Sequence, residues 1–496
     1  MHRQRVVDGS SVHTPPARPW ELPRDRPKLK PMPIASDQGE TRDVIVLGAG
    51  PAGSTAALCL ARAGHRVLMV DKARFPRFHV GESLIPQDME MFADLGLLEE
   101  MGKLPQVRKR GVEFALGDGS AKHRIRFAQS LVPGIEETFN VERAVLDEAL
   151  RVAAVRAGAE SWQDARVDQI LRLDDGDVAL RLDDGRELAA RYLIDASGQA
   201  SVVGRHLKSR QNFDQPQYQK LAYFGHYQHV DRDNPLGDDD ITMVLCDEGW
   251  FWMIPIDDTR VSIGLVLDAA AARQVKRPAH TMLAWGIERC PLIRQRVRHA
   301  TPPPRNHVIS DYSYRCRPYA GPGYFLIGDA ATFLDPVFST GIYLGMEGGR
   351  EAARQIGLLL EGRTTPASAR QRYERFLTTG IRPFFRIIHA YYHPAFRDLF
   401  FNGQGPLAMH RAVISILSGR VFPRPAWAVR WRMRLFYACV ALQRRLPLVP
   451  RRAGFSLLAT PPEPGPASAP LPADSVNATE NARPAAATSR PAMANV

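Results

Sequence analysis

The chain has 496 residues, 45% of them hydrophobic, enough to build a real core and about three domains on the usual length prior. Its five cysteines (Cys59, Cys246, Cys290, Cys316, Cys439) lack CxxC spacing. That excludes a disulfide framework or a zinc site, predicts no metal, fits a reducing cytoplasm and makes each a small buried hydrophobe. The formal net charge of +12 favours anionic partners, although an arginine-rich composition accounts for it equally well. No basic block is interleaved with a nucleic-acid reading motif, so no nucleic-acid partner is predicted.

Residues 1–40 are rich in Arg, Pro and Lys without an apolar h-region, which predicts a disordered arm rather than a secretory signal. No apolar run reaches the roughly 18 residues of a membrane span. The apolar run 42–47 predicts a strand, Ser54–Ala63 a helix and Arg66–Asp71 a second strand, together a βαβ unit. Residues 165–190 alternate like hairpins, with turn signals at Asp174-Asp175-Gly176-Asp177 and Asp183-Asp184-Gly185. Another strand ends in the turn Asp195-Ala196-Ser197-Gly198. Residues 219–268 read as β-rich, 324–327 as a further strand, and the pattern turns helical from about Gly345.

Six segments follow. They are a disordered arm (1–40), a dinucleotide-binding part with a hairpin insert (41–205), a β-rich substrate-facing part (206–310), a second dinucleotide-binding part (311–365), a helical C-terminal region (366–455) and a disordered Ala/Pro/Ser-rich tail (456–496). The fold class is α/β with α+β character: a Rossmann-like domain interrupted by an inserted sheet.

The dinucleotide fingerprint is Gly48-Ala49-Gly50-Pro51-Ala52-Gly53. Gly48 allows the tight turn, Gly50 lets backbone approach a pyrophosphate, and Gly53 lets helix and strand pack closely. The helix N-terminus offers N–H groups to phosphate. Asp71, closing the next strand, is placed to accept from a ribose 2′-hydroxyl.

Downstream, Trp250-Phe251-Trp252-Met253-Ile254-Pro255 reads WxWxIP. The two motifs together resemble the flavin-dependent halogenases, over roughly residues 42–425. The resemblance implies FAD, used as FADH2, with O2 and chloride or bromide. It adds Ala52, Lys72, Arg143 (in Val141-Glu142-Arg143), Asp329 (in Gly328-Asp329-Ala330) and Gly341 to the flavin-binding set. In that family hypohalous acid passes through a tunnel to a lysine beside the substrate. The matching residue is Lys109, in Arg108-Lys109-Arg110-Gly111. Burial would lower its pKa, and the flanking arginines would push the same way if they point inward. On residue type alone the segment is a solvated basic strip.

Asp335-Pro336-Val337-Phe338-Ser339-Thr340-Gly341 resembles the halide loop, with the Thr340 and Gly341 amides as halide donors and Gly341 supplying close approach and an unusual backbone angle. Trp250, Trp252 and Pro255 would wall substrate from flavin and suppress hydroxylation; strand alternation puts both tryptophans on one face, which suits a core role equally. Phe78–Pro86 resembles an active-site segment, with no chemical step given to His79 or Glu82.

Tryptophan halogenases carry Glu where this chain has Phe338. That departure implies the subclass acting on phenols, pyrroles or carrier-protein-bound aryl groups, in secondary-metabolite or pigment biosynthesis. With no second nucleotide fingerprint, a separate flavin reductase must supply FADH2. Residues 426–445 mix Trp, Phe and Leu with Arg: a docking face for an acyl or peptidyl carrier protein, a peripheral membrane contact, or a packed helix with solvated arginines. The rival readings are an NADPH-using aromatic hydroxylase, a prenyl-type flavin reductase and a flavin-binding scaffold without turnover.

Overall fold

The computed structural model describes residues 42–213, 215, 218–232, 240–403 and 405–459. The expected N-terminal arm, and the tail from residue 460, lie outside the described residues. The chain enters on the strand Arg42–Leu47, every residue of which but Asp43 is buried. Its parallel neighbours are Val67–Val70 on one side and Glu187–Asp195 on the other. Tyr324–Leu326 continues the parallel set beyond Glu187–Asp195, so strands far apart in sequence meet in one sheet. Where they are buried on both faces, as at residues 44–47, Val67–Val70 and residues 192–194, these strands read as continuous apolar runs rather than alternating ones. Among the described residues the sheet has eight strands, two of them the antiparallel hairpin Val167–Asp174 and Asp177–Leu182.

The first helix spans Pro51–Arg62, starting three residues before the expected Ser54. Pro51 takes the first helical position, where its fixed φ is already helical and its missing N–H is no loss. The long helix Gly341–Leu360 packs across it, beginning earlier than the expected Gly345. Its Gly349 makes the close approach possible: a Cβ there would lie 2.5 Å from the Ala52 carbonyl oxygen.

A second sheet, of seven strands among the described residues, faces the first region. Its centre is Gln219–Gln228, Arg260–Asp268, Gly249–Pro255 and Ile241–Cys246. It also recruits Gly111–Leu116 and Lys122–Arg126 from much earlier in the chain. Lys109 sits outside it, on the two-stranded ribbon Gln106–Lys109 with Thr138–Val141. The C-terminal helix Pro394–Phe401 packs beside the edge strand Lys122–Arg126 of the second sheet. The helix Trp427–Gln443 buries Val429, Met433, Phe436 and Val440 on one face and leaves Trp427 71% exposed. All five cysteines are free; Cys290 and Cys316 are buried, whereas Cys59, Cys246 and Cys439 are only half-buried, contrary to the expectation for all five.

The strand carrying the tryptophans is held by a missing side chain. A Cβ at Gly264 would lie 2.2 Å from the Trp252 indole, so only glycine fits opposite it. We expect Gly264→Ala to lose about 1–3 kcal/mol by overpacking and to shift tryptophan emission. Gly102→Ala, where a Cβ meets nothing within 4 Å, should melt like the parent.

Candidate active site

A cavity of ≈ 700 Å³ opens beside the glycine loop. Gly48 holds φ +101°, and a Cβ there would lie 2.4 Å from the Ala196 carbonyl oxygen; at Gly53 it would lie 1.9 Å from that of Gly48. Both glycines are therefore demanded by the fold itself. Gly50 differs: a Cβ would meet only Arg77 Nη2, at 3.5 Å, and its open face lines the cavity. Asp71 accepts from the Ala49 N–H at 2.8 Å and the Ala73 N–H at 2.9 Å, tying the loop to the strand end while lining the cavity. Ala52 and Lys72 line it too, Ala52 half-buried and Lys72 exposed.

Arg143 is buried on the far side, its Nε and Nη2 donating to the two Asp147 oxygens at 2.8 and 3.0 Å. Its Nη1 donates to the Val80 carbonyl at 2.8 Å. Asp329 lines the same cavity; burial pushes its carboxyl up to about 6, against the opposing pull of the Arg143 guanidinium. Thr340 and Gly341 line it where the helix Gly341–Leu360 starts, without a side-chain cap or a first-turn acid. The backbone expectation for Gly341 fails: its φ is not positive, and the left-handed residue is Ser339, at φ 56° and ψ 33°. Ser339 ends the short turn Pro336–Phe338, and the strain of the loop falls there. A Cβ on Gly341 meets nothing within 4 Å, so its contribution is open space rather than geometry.

Trp250 and Trp252 form one wall of the cavity, their ring centroids 5.8 Å apart. Trp250 Nε1 donates to Tyr392 Oη at 3.0 Å, and Tyr392 donates to Asp335 Oδ2 at 2.5 Å. Trp252 Nε1 donates to Ser262 Oγ at 3.1 Å. With their polar atoms satisfied, both indoles present only ring surface. Pro255 is buried at the strand end and does not line the cavity.

Lys109 is 1% exposed. Its Nζ donates to Ser83 Oγ at 2.9 Å and to the Leu84 carbonyl at 2.7 Å, and lies 5.3 Å from the Phe127 ring centroid. Burial pulls it from its ordinary 10.5 to about 7, against the attraction of the Asp240 and Asp88 carboxylates. Arg108 and Arg110 contribute nothing to this: both turn outward toward Glu137. On a strand, Lys109 and its two neighbours point to opposite sides, so a buried Lys109 sends both arginines to solvent. A second, far smaller cavity of ≈ 10 Å³, about one water, contains Lys109 and Phe338. Ser83 lines the large cavity while holding Lys109, and Ser339 lines both.

Comparison with known proteins fits this arrangement. Residues 41–375 match the family model described as an FAD binding domain. The chain is 33% identical, over 64% of its length and 78% of the relative's, to a 1H-pyrrole-2-carbonyl-(peptidyl-carrier protein) brominase from Pseudoalteromonas luteoviolacea. A chlorinase of the same printed substrate from Pseudomonas fluorescens is 26% identical, over 80% of this chain and 93% of that one. The solved structure of the flavin-dependent brominase Bmp2 superposes with TM-score 0.71 at 29% identity, covering 82% of this chain and all of that one. The chain belongs to the flavin-dependent halogenases.

The halogenase's residues fit FAD. The large cavity runs from the open face of Gly50 and the carboxylate of Asp71 to Arg143, Asp329 and the uncapped helix start at Thr340–Gly341. Bound there in reduced form, FAD with O2 supplies the oxidising power that turns halide into an electrophile. The chain does the rest. The indole wall presents ring surface to the flavin cavity, and the uncapped helix start at Thr340–Gly341 brings the positive end of a helix dipole to its lining. Lys109 stands one hydrogen bond beyond that cavity's lining, at Ser83. At neutral pH it is divided between ammonium and amine, so it can donate a hydrogen bond or offer a lone pair.

Several of these residues carried no legible signal. Ser83 and Leu84 sit in a recognised segment, but their grip on Lys109 joins positions 26 and 25 residues apart. Tyr392 and Asp335, which fix Trp250, lie 57 residues apart on unrelated elements.

A buried cation burdens the folded state. Below about pH 7 Lys109 is charged in both states and the full penalty applies; between about 7 and 10.5 the unfolded chain binds the extra proton, so parent stability rises with pH. Lys109→Met should therefore be more stable than the parent by a few kcal/mol at pH 6. That gain should shrink across the window up to pH 10.5, as read by denaturant melts; a constant gain would place Lys109 in ordinary solvent.

Proposed function

We propose that this halogenase acts on an electron-rich ring, a pyrrole or phenol, presented on an acyl or peptidyl carrier protein. The observation that carries the reading is the composition of the lysine pocket. Apart from Lys109 and Ser339 it is lined by Ile85, Val112, Phe114, Phe127, Ile241, Val337, Phe338 and Leu417, with no carboxylate to withdraw a ring proton. A ring brought up to this small pocket finds no base there, so it must stabilise its own cationic intermediate, which pyrrole and phenol do and a benzene ring does not. Phe338, 7% exposed and edge-on to Tyr391 at 5.4 Å, fills the position of the missing acid with apolar bulk.

Delivery on a carrier is supported by the printed substrates of two relatives and by charge. Residues 399–459 hold ten arginines and no acidic residue, a surface suited to an acidic carrier. FADH2 comes from a separate reductase: the one glycine-rich fingerprint is occupied by the flavin loop, leaving no second site of that type for a nicotinamide. The free cysteines fit a cytoplasmic setting, and among the described residues no helix is long and apolar enough to cross a membrane.

The test is mass spectrometry of pyrroles and phenols, free and carrier-loaded, with a reductase and with bromide, chloride or neither. We expect a halide-dependent mass gain with the matching isotope pattern on a carrier-loaded ring. A gain of one oxygen regardless of halide would make the enzyme a hydroxylase, and halogenation confined to free rings would remove the carrier. Lys109→Ala should abolish the product, a loss of at least 10²-fold, while FAD absorbance and reoxidation persist.

A further inference from the structure

Making the electrophile consumes a proton. FADH2, O2, one halide ion and one proton yield FAD, one water and hypohalous acid; O2 takes four electrons, two from the flavin and two from the halide. The cavity lining mixes polar side chains with the apolar wall of Trp250, Trp252, Phe224 and Ile254, and a buried acid in that lining can give a proton a route through protein. One side chain offers it. Glu82 is 1% exposed and lines the flavin cavity, and its Oε2 is buried without a partner. Its Oε1 lies 2.7 Å from His226 Nε2. His226 sits outside the cavity lining, on the strand Gln219–Gln228, with its side chain 16% exposed.

We propose that His226 and Glu82 form the proton entry of the halogenase, a two-residue relay from solvent to the flavin cavity. A carboxylate only accepts, so Nε2 carries the proton toward Oε1. His226 takes a proton from solvent at its exposed edge as the Nε2 proton passes to Glu82; the carboxyl group presents that proton to the cavity, and the imidazole returns to its starting tautomer by exchange with solvent. Nothing is gained or lost by either residue over a cycle. The charges around the pair are disposed to hold it. The Arg143 guanidinium lies close enough to Glu82 to interact with it electrostatically. Lys109 reaches the neighbouring Ser83. On the other side His226 faces His307 across Phe78, whose ring is 5.7 Å from one and 4.3 Å from the other, with Arg305 beyond. Among the described residues lining the cavity, no other acid is bonded to a partly exposed histidine: Asp71 accepts from backbone, and Asp329 faces Arg143.

Two measurements decide it, and neither needs the aryl substrate proposed above. Imidazole 15N NMR of the flavin-free protein should show a proton on His226 Nε2, facing Glu82; an Nε2 without a proton would refute the relay. Rapid mixing of FADH2-loaded protein with O2 and bromide, followed by flavin absorbance, should show the bromide-dependent phase slowed about 10²-fold in His226→Gln and His226→Ala. Flavin affinity should stay at the parent value. Free imidazole should restore His226→Ala but not Glu82→Leu, whose lost carboxyl group no solute imidazole replaces. Parent-like rates in both His226 variants would overturn the proposal. So would a loss that tracks flavin affinity, which would make Glu82 a support for Arg143.

Discussion

The site depends on keeping one ammonium group out of water. Lys109 is held by a hydroxyl and a carbonyl, over an aromatic ring, in a space too small for hydration. Those two acceptors replace only part of what water gives a cation, and the deficit lowers its proton affinity to about neutrality. Much of the surrounding architecture serves that burial. The ribbon Gln106–Lys109 with Thr138–Val141 delivers the side chain inward, the segment before Pro86 supplies its acceptors, and the Phe338 loop closes the space.

The flavin cavity rests on a different principle, the removal of side chains and polar ends. Gly48 and Gly53 let backbone touch backbone, and Gly349 lets the two long helices meet. On the opposite wall every polar end of the indoles is tied away from the cavity, Trp250 through Tyr392 to Asp335 and Trp252 to Ser262. Because Tyr392 follows the helix Pro366–Tyr391, the C-terminal helices and the flavin wall are joined by direct hydrogen bonds.

What the sequence made legible is what is local. The fingerprint, the hairpins and the tryptophan strand each lie within one short segment, so their periodicity and turn residues survive in one dimension. The resemblance to halogenases then carried Lys109 and Phe338 into one site. The depth of Lys109 was hidden because its neighbours Arg108 and Arg110 make the segment look solvated, whereas strand alternation separates them. The left-handed Ser339 was hidden because nothing about serine announces that conformation, and the glycine two positions later drew the eye. The Glu82–His226 contact spans 144 residues and two elements, and no local pattern encodes it.

The lysine pocket has one more property, which concerns durability. Hypohalous acid attacks sulfur, indole, phenol and imidazole far faster than it attacks alkyl or benzene carbon. The pocket lining holds no Met, Cys, Trp, Tyr or His; its residues are Ile, Val, Leu and Phe, with one serine and the lysine. The oxidisable side chains, among them Met243, Trp250 and Trp252, line the flavin side instead. An oxidant held at Lys109 would wait among side chains it cannot corrode, with the lysine as the one reactive surface. An enzyme so arranged survives turnovers in which no substrate arrives, provided the oxidant reaches the lysine before it meets the tryptophans.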